Sequence, residues 1–102
     1  MHALYKKMEE NISFDIAGVT YHKEVAKNIF LDDILEMKPD TKYGNAIAIY
    51  TKNNELCGYV PKIYIDKVKK IGNTDLKVTN IKKNLEIKYS DQIENITVCT
   101  IG

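Results

Sequence analysis

The chain has 102 residues, one domain's worth, and a domain of this size buries roughly 60–65% of the surface its unfolded chain exposes. Hydrophobic residues make up 44% and charged residues 28%, a globular composition that excludes a mostly disordered chain. Fifteen basic residues against fourteen acidic leave a formal charge of +1, which by itself predicts no polyanionic partner. No apolar run approaches the ~20 residues needed to cross a bilayer, and the N-terminal residues lack the apolar segment of a secretory signal. We therefore expect no membrane association and a cytoplasmic protein.

Residues 1–11 read as an N-terminal extension, with Leu4 and Met8 at helical spacing, and residues 12–102 as the folded domain. The leading signal from there on is alternation. Ile12, Phe14 and Ile16 alternate with Ser13 and Asp15, which predicts a long strand running on to Tyr21, with Gly18 supplying a bulge or bend. Val25, Ala26, Ile29 and Phe30 suggest a short helix, and Asp32-Asp33 the opening of a strand or loop. Leu35 and Met37 mark the next strand. Ala46 to Thr51 reads as a strand buried on both faces, turning at Asn53-Asn54 into a hairpin partner over Leu56–Val60. Pro61 at a first-turn position, then Tyr64, Val68 and Ile71, then Gly72-Asn73, predict one well-formed helix. Leu76/Val78 and Leu85/Ile87/Tyr89 predict two strands about a turn at Lys82-Lys83-Asn84, and Ile96, Val98 and Thr100 predict the last. The fold class is mainly β: a small OB-like antiparallel barrel with one or two short α-helices.

Catalysis finds little support. Neither Ser13 nor Ser90 sits in a nucleophile motif, no glycine-rich phosphate loop follows a strand, and His2 and His22 complete no zinc spacing with Cys57 and Cys99. We expect no cofactor, no metal and two buried thiols. The charge is unevenly spread: residues 60–90 hold eight lysines against Asp66, Asp75 and Glu86. Such a stretch is either a solvated face or a nucleic-acid footprint. All fifteen basic residues are lysine, so the bidentate arginine forks that read phosphate or guanine are unavailable.

Seven tyrosines, two phenylalanines and no tryptophan complete the inventory. Most strand tyrosines pack a ring and wet a hydroxyl. Three are placed otherwise: Tyr21 beside Thr20 and His22, Tyr43 in the turn Asp40 to Gly44, and Tyr59 just before Val60-Pro61-Lys62. Rings at strand ends with lysines nearby suit single-stranded nucleic acid, where each stacked base contributes ~1–3 kcal/mol and lysine attracts phosphate without regard to sequence.

Phe14 to His22, Lys38 to Ile49 and Gly58 to Lys62 together resemble the HIRAN domain family. That family shows a G-V-x-Y strand end, an E-P-x-N-x-Y-D-x-N-A-I turn and strand, and a G-Y-[VI]-P-[KR] strand leading into a helix. The resemblance runs from about residue 12 to 72 with the three blocks in order, the N-A-I and G-Y-V-P-K blocks being its specific part. It implies a modified OB-like barrel that binds single-stranded DNA, notably a free 3′ end. HIRAN domains occur fused to helicases of DNA repair and as standalone bacterial proteins, and this chain looks like the latter kind. The resemblance casts Tyr21 as a base contact, Tyr43 as the ring stacked on the terminal nucleotide, Tyr59 as a neighbour of the DNA and Lys62 as a phosphate ligand. Thr20 and His22 flank the first of these. Asn45 and Gly44 are expected to shape the turn.

Two departures bear on this. The family's Y-D-x-N is Y-G-N here, so the Asp that meets the 3′-hydroxyl has no counterpart, and Asp40 is the nearest substitute. Thr20 also stands where a DNA-binding relative can carry a basic residue. Two functions thus stand side by side. One is a nucleic-acid binding module, partnered by single-stranded DNA or DNA 3′ ends and by a helicase or nuclease. The other is a protein-interaction or assembly domain that has lost the DNA groove.

Overall fold

A computed structural model describes residues 11–40, 42, 44–72, 75–83 and 93–101. Six strands form one antiparallel sheet: β1 (Ser13–Asp15), β2 (Ile34–Asp40), β3 (Ala46–Tyr50), β4 (Leu56–Tyr59), β5 (Asp75–Lys83) and β6 (Ile93–Thr100), in the order β1-β6-β5-β2-β3-β4. Between them lie a 3₁₀ turn (Val19–Tyr21), the one-turn helix α1 (Lys23–Ala26) and the helix α2 (Lys62–Ile71). The fold is mainly β with two helices, as the alternation predicts. The barrel expectation reaches further than this sheet, whose end strands β1 and β4 share no ladder. They are linked at one place: Ala17, two residues beyond β1, forms an antiparallel bridge with Tyr59.

Several strand expectations need correction. β1 stops at Asp15, and the segment expected to continue it as strand to Tyr21 is a 3₁₀ turn instead. Gly18 is the cause: at φ 80° it takes a left-handed conformation that reverses the extended path, so it is no strand bulge. The bulges lie elsewhere, at Cys57 against Ile49 and Tyr50, at Thr79 against Val98 and Thr97, and at Glu94 against Lys82 and Lys83. Lys82 and Lys83, expected in a turn, belong to β5. The strand expected over Leu85, Ile87 and Tyr89 and the N-terminal helix at Leu4 and Met8 lie outside the described residues.

The core takes alternate side chains from β1, β2 and much of β5 and β6, including Phe14, Leu35, Met37, Leu76 and Val98, with Ile49 of β3 at its centre. Each fully buried aliphatic contributes ~1.5–3 kcal/mol relative to exposure, so this cluster outweighs the exposed ion pairs. β3 buries Ile47, Ala48 and Ile49 in succession, because β2 and β4 flank it and α2 packs against it. Helix α2 runs from Pro61, which stands one place earlier than expected as N-cap, to Gly72, whose N–H returns to the Val68 carbonyl. It buries Ile65 and Val68, and its Tyr64 ring stacks on Phe14 with centroids 5.6 Å apart. Thr100 is the one buried polar residue among those described, and its Oγ1 accepts the Ile12 N–H at 2.9 Å. None of the described helices is long and apolar enough to cross a membrane.

The two thiols, both free, differ. Cys99 is half-buried, against the expectation that both would be buried, because its strand position alternates outward from Val98 and Thr100. Cys57 is turned inward at its bulge, fully buried, and its thiol donates to the Ile49 carbonyl at 3.2 Å. Burial pushes this thiol from its ordinary 9.0 up to about 12. A thiol reagent at neutral pH should therefore modify Cys99 in the native protein and reach Cys57 only on unfolding. The proton is held more tightly in the folded state, so the associated stability is complete below pH 9.0 and is lost as pH rises towards about 12. Urea unfolding at pH 7 and pH 10 should show a larger alkaline loss for the wild type than for Cys57→Ala.

Candidate nucleic-acid interface

The site is built where the chain after β1 crosses the end of β4. Ile16 still pairs with β6, its N–H reaching the Ile96 carbonyl at 2.9 Å. One residue later Ala17 changes partner, donating to the Tyr59 carbonyl at 2.8 Å and accepting from the Tyr59 N–H at 2.9 Å. This close approach needs a residue without a side chain at position 58. A Cβ on Gly58 would stand 2.5 Å from the Ala17 carbonyl oxygen and 2.5 Å from Ile16 Cγ2.

The crossing makes one wall of an open groove of about 650 Å³. Ala17 and Tyr59 form that wall, Asn45 and Ala46 at the start of β3 form another, and Val60, Pro61, Lys62, Ile65 and Asp66 complete it from the β4–α2 corner. Its volume lies within the ~300–1,000 Å³ typical of ligand pockets. The floor is apolar and the rim polar. Lys62 opens α2, so its ammonium lies at the same end as the positive pole of the helix, where the Pro61 carbonyl takes the Tyr64 N–H at 2.9 Å; ammonium and helix pole both favour an anion. Among the described residues neither Lys62 nor any other lysine of α2 forms an ion pair, whereas Lys77 and Lys82 on β5 are paired with Asp32 and Glu94. Among its described lysines, the basic stretch has no ion pair on the helix and ion pairs at two of three on β5.

Three residues singled out from the sequence, Asn45, Tyr59 and Lys62, thus share one groove. Asp40 belongs with them through Tyr59, whose hydroxyl donates to Asp40 Oδ2 at 3.2 Å. The other carboxylate oxygen accepts the Lys42 N–H at 3.0 Å. Both oxygens of Asp40 are engaged in shaping the turn and orienting the ring. Asn45 accepts a hydrogen bond from Lys69 through its side-chain oxygen. Gly44, at φ 71°, supplies the left-handed step before β3.

Tyr21 is 87% exposed on the 3₁₀ turn, with Thr20 exposed and His22 half-buried beside it. That turn packs on β4 and β6, but Thr20, Tyr21 and His22 do not line the groove. Tyr43 lies outside the described residues. Reading the sequence missed Asp66 and Ile65. Both are one helical turn beyond Pro61-Lys62, and the i, i+4 spacing from Lys62 to Asp66 was there to be seen. Among the described residues no three His, Cys, Asp or Glu side chains cluster as a metal site.

No family model matches the chain, and no solved structure matches it. Over 63 residues, 62% of the chain, it is 33% identical to digeranylgeranylglycerophospholipid reductase 3 of Methanosphaera stadtmanae. The match covers 15% of that protein, so the chain spans only a small part of it.

Gly58→Ala tests the construction of the site. Both close atoms belong to the crossing segment and one is backbone, so the crossing must shift. We expect a loss of about 1–3 kcal/mol of stability in urea unfolding, typical of overpacking. The Ala17 and Tyr59 amides should exchange with solvent faster than those of β5 and β6.

Proposed function

We propose that this chain is a HIRAN-type nucleic-acid binding module, a small barrel sealed at the Ala17–Tyr59 bridge, that holds single-stranded DNA or a DNA end in its groove. The observation that carries the reading is the meeting of Tyr59, Lys62 and Asn45 on one apolar-floored groove at the positive end of α2. A ring beside an apolar floor suits a base, and a lysine without an ion pair at the positive end of a helix suits its phosphate. Tyr21, exposed on the neighbouring turn, would extend the aromatic surface. The module works in the cytoplasm without cofactor or chemistry of its own, beside a helicase or nuclease that processes the DNA. Because Asp40 spends both oxygens on Lys42 and Tyr59, generic single-strand binding fits this chain better than hydroxyl-specific end recognition.

A protein ligand is the second reading, and Asp66 on the groove is the observation that favours it, since a carboxylate opposes phosphate. Fluorescence anisotropy with a labelled single-stranded oligonucleotide separates the two. Contact with about two to four phosphates predicts that log K falls against log[salt] with a slope of roughly −1.4 to −3. Tyr21→Ala and Tyr59→Ala should each weaken binding about five- to 150-fold, the equivalent of one stacked base at ~1–3 kcal/mol, while Phe at either position retains most of it. Asp66→Asn should tighten it. Binding insensitive to salt and to both tyrosines would leave nucleic acid without support.

A further inference from the structure

The groove does not end at Asn45. A second, smaller hollow of about 190 Å³ continues from it, lined by Gly44, Lys69 and Gly72 among others, and Asn45 and Ala46 line both. Where the two meet, the Lys69 ammonium donates to Asn45 Oδ1, joining α2 to the start of β3. Both residues are exposed, and among the described residues Lys69 forms no ion pair.

Lys62 and Lys69 are seven positions apart on α2, so they lie within ~20° of the same face and about 10.5 Å apart along the helix axis. A stacked strand advances ~3.4 Å per nucleotide, so the two lysines are spaced for phosphates about three nucleotides apart. The acceptor that Lys69 now has is a neutral amide. A phosphate oxygen is a charged acceptor, which adds a direct Coulomb attraction to the ammonium that the amide oxygen lacks. Exchange of the first for the second is therefore favourable once a strand lies along the helix. The carboxylate of Asp66, between the two lysines in sequence, limits the gain.

We propose that Lys69 is a second strand-binding lysine, held by Asn45 until a single strand entering past Tyr59 and Lys62 reaches it and takes the ammonium over. This rests on the single-strand reading of the groove. It assigns the smaller hollow as the continuation of the strand's path, and it makes the Lys69–Asn45 bond the element that strand length acts on: a strand too short to span both lysines leaves that bond intact.

The test compares Lys62→Ala, Lys69→Ala and Asn45→Ala in anisotropy titrations with labelled oligothymidylates of two and eight nucleotides, with thermal melts as a check on folding. With the eight-mer, Lys69→Ala should weaken binding about two- to fivefold, the worth of an exposed charge pair, and flatten the salt slope by about 0.7. Asn45→Ala releases Lys69 but also removes a side chain from the groove wall, so it should weaken binding of the eight-mer by less than Lys69→Ala does. With the dinucleotide, Lys69→Ala should match wild type while Lys62→Ala weakens. Equal losses for Lys69→Ala and Asn45→Ala would mean the bond is only a brace, and overturn the proposal. A Lys62→Ala loss with no Lys69→Ala loss on the eight-mer also overturns it and leaves the single-strand reading standing. No binding of either oligonucleotide by the wild type at low salt overturns both.

Discussion

Everything near the groove depends on the chain crossing β4 at a distance that only glycine permits. Two backbone hydrogen bonds, between Ala17 and Tyr59, join the opposite ends of the sheet, and they form because position 58 has no Cβ to strike the Ala17 carbonyl. The peptide groups involved would otherwise be edge groups needing water or another strand. Their pairing fixes the Tyr59 backbone. The hydroxyl bond to Asp40 fixes the other end of its side chain. The ring is thereby held at both ends before any ligand arrives, which lowers the ordering cost of binding. Pro61 then turns the chain directly from this fixed point into α2, so Lys62 inherits its place from the same crossing.

Much of the sheet could be read from the sequence because alternation survives wherever a strand has one buried face. β2 and the main part of β6 fall where the period-2 pattern puts them, while β3, buried on both faces, and β4, its hairpin partner, were marked by the Asn53-Asn54 turn between them. The pattern fails at the bulges, which insert a residue and reset its parity. On β5 the buried positions run Leu76, Val78 and then the half-buried Ile81, because Thr79 is the extra residue. Gly18 was ambiguous for a different reason. A glycine in an apolar run signals either a bulge or a left-handed turn, and only the paths of β4 and β6 decide between them. Helix α2 was the most legible element, its Pro and Gly ends marking it to within a residue.

The site was legible in part, and the division has a physical basis. Tyr59 and Lys62 are three positions apart across a tight corner, so sequence proximity guarantees that they stay together. Asn45 reaches them through the β3–β4 pairing, a longer-range fact that the hairpin signal already implied. Asp66 and Lys69 act from the helix face, and their relation to Asn45 depends on how α2 packs on β3, which no local pattern encodes. Charge behaves likewise. Of the eight lysines in this stretch, the seven that are described divide between a helix where none forms an ion pair and a strand where Asp32 and Glu94 meet two of them. On a chain of net charge +1, any attraction for a polyanion must come from that local excess and not from a global field.

The proposed path of a single strand is the groove between Ala17, Asn45 and α2. Backbone amide chemical shifts followed while the protein is titrated with a short oligothymidylate test it most directly. A strand in that groove should place the largest changes on Ala17, Asn45, Ala46, Tyr59, Lys62 and Asp66, with β5 and the exposed turn at Phe30 and Leu31 left in place. Changes centred on Phe30 and Leu31, or none at saturating oligonucleotide, would contradict it.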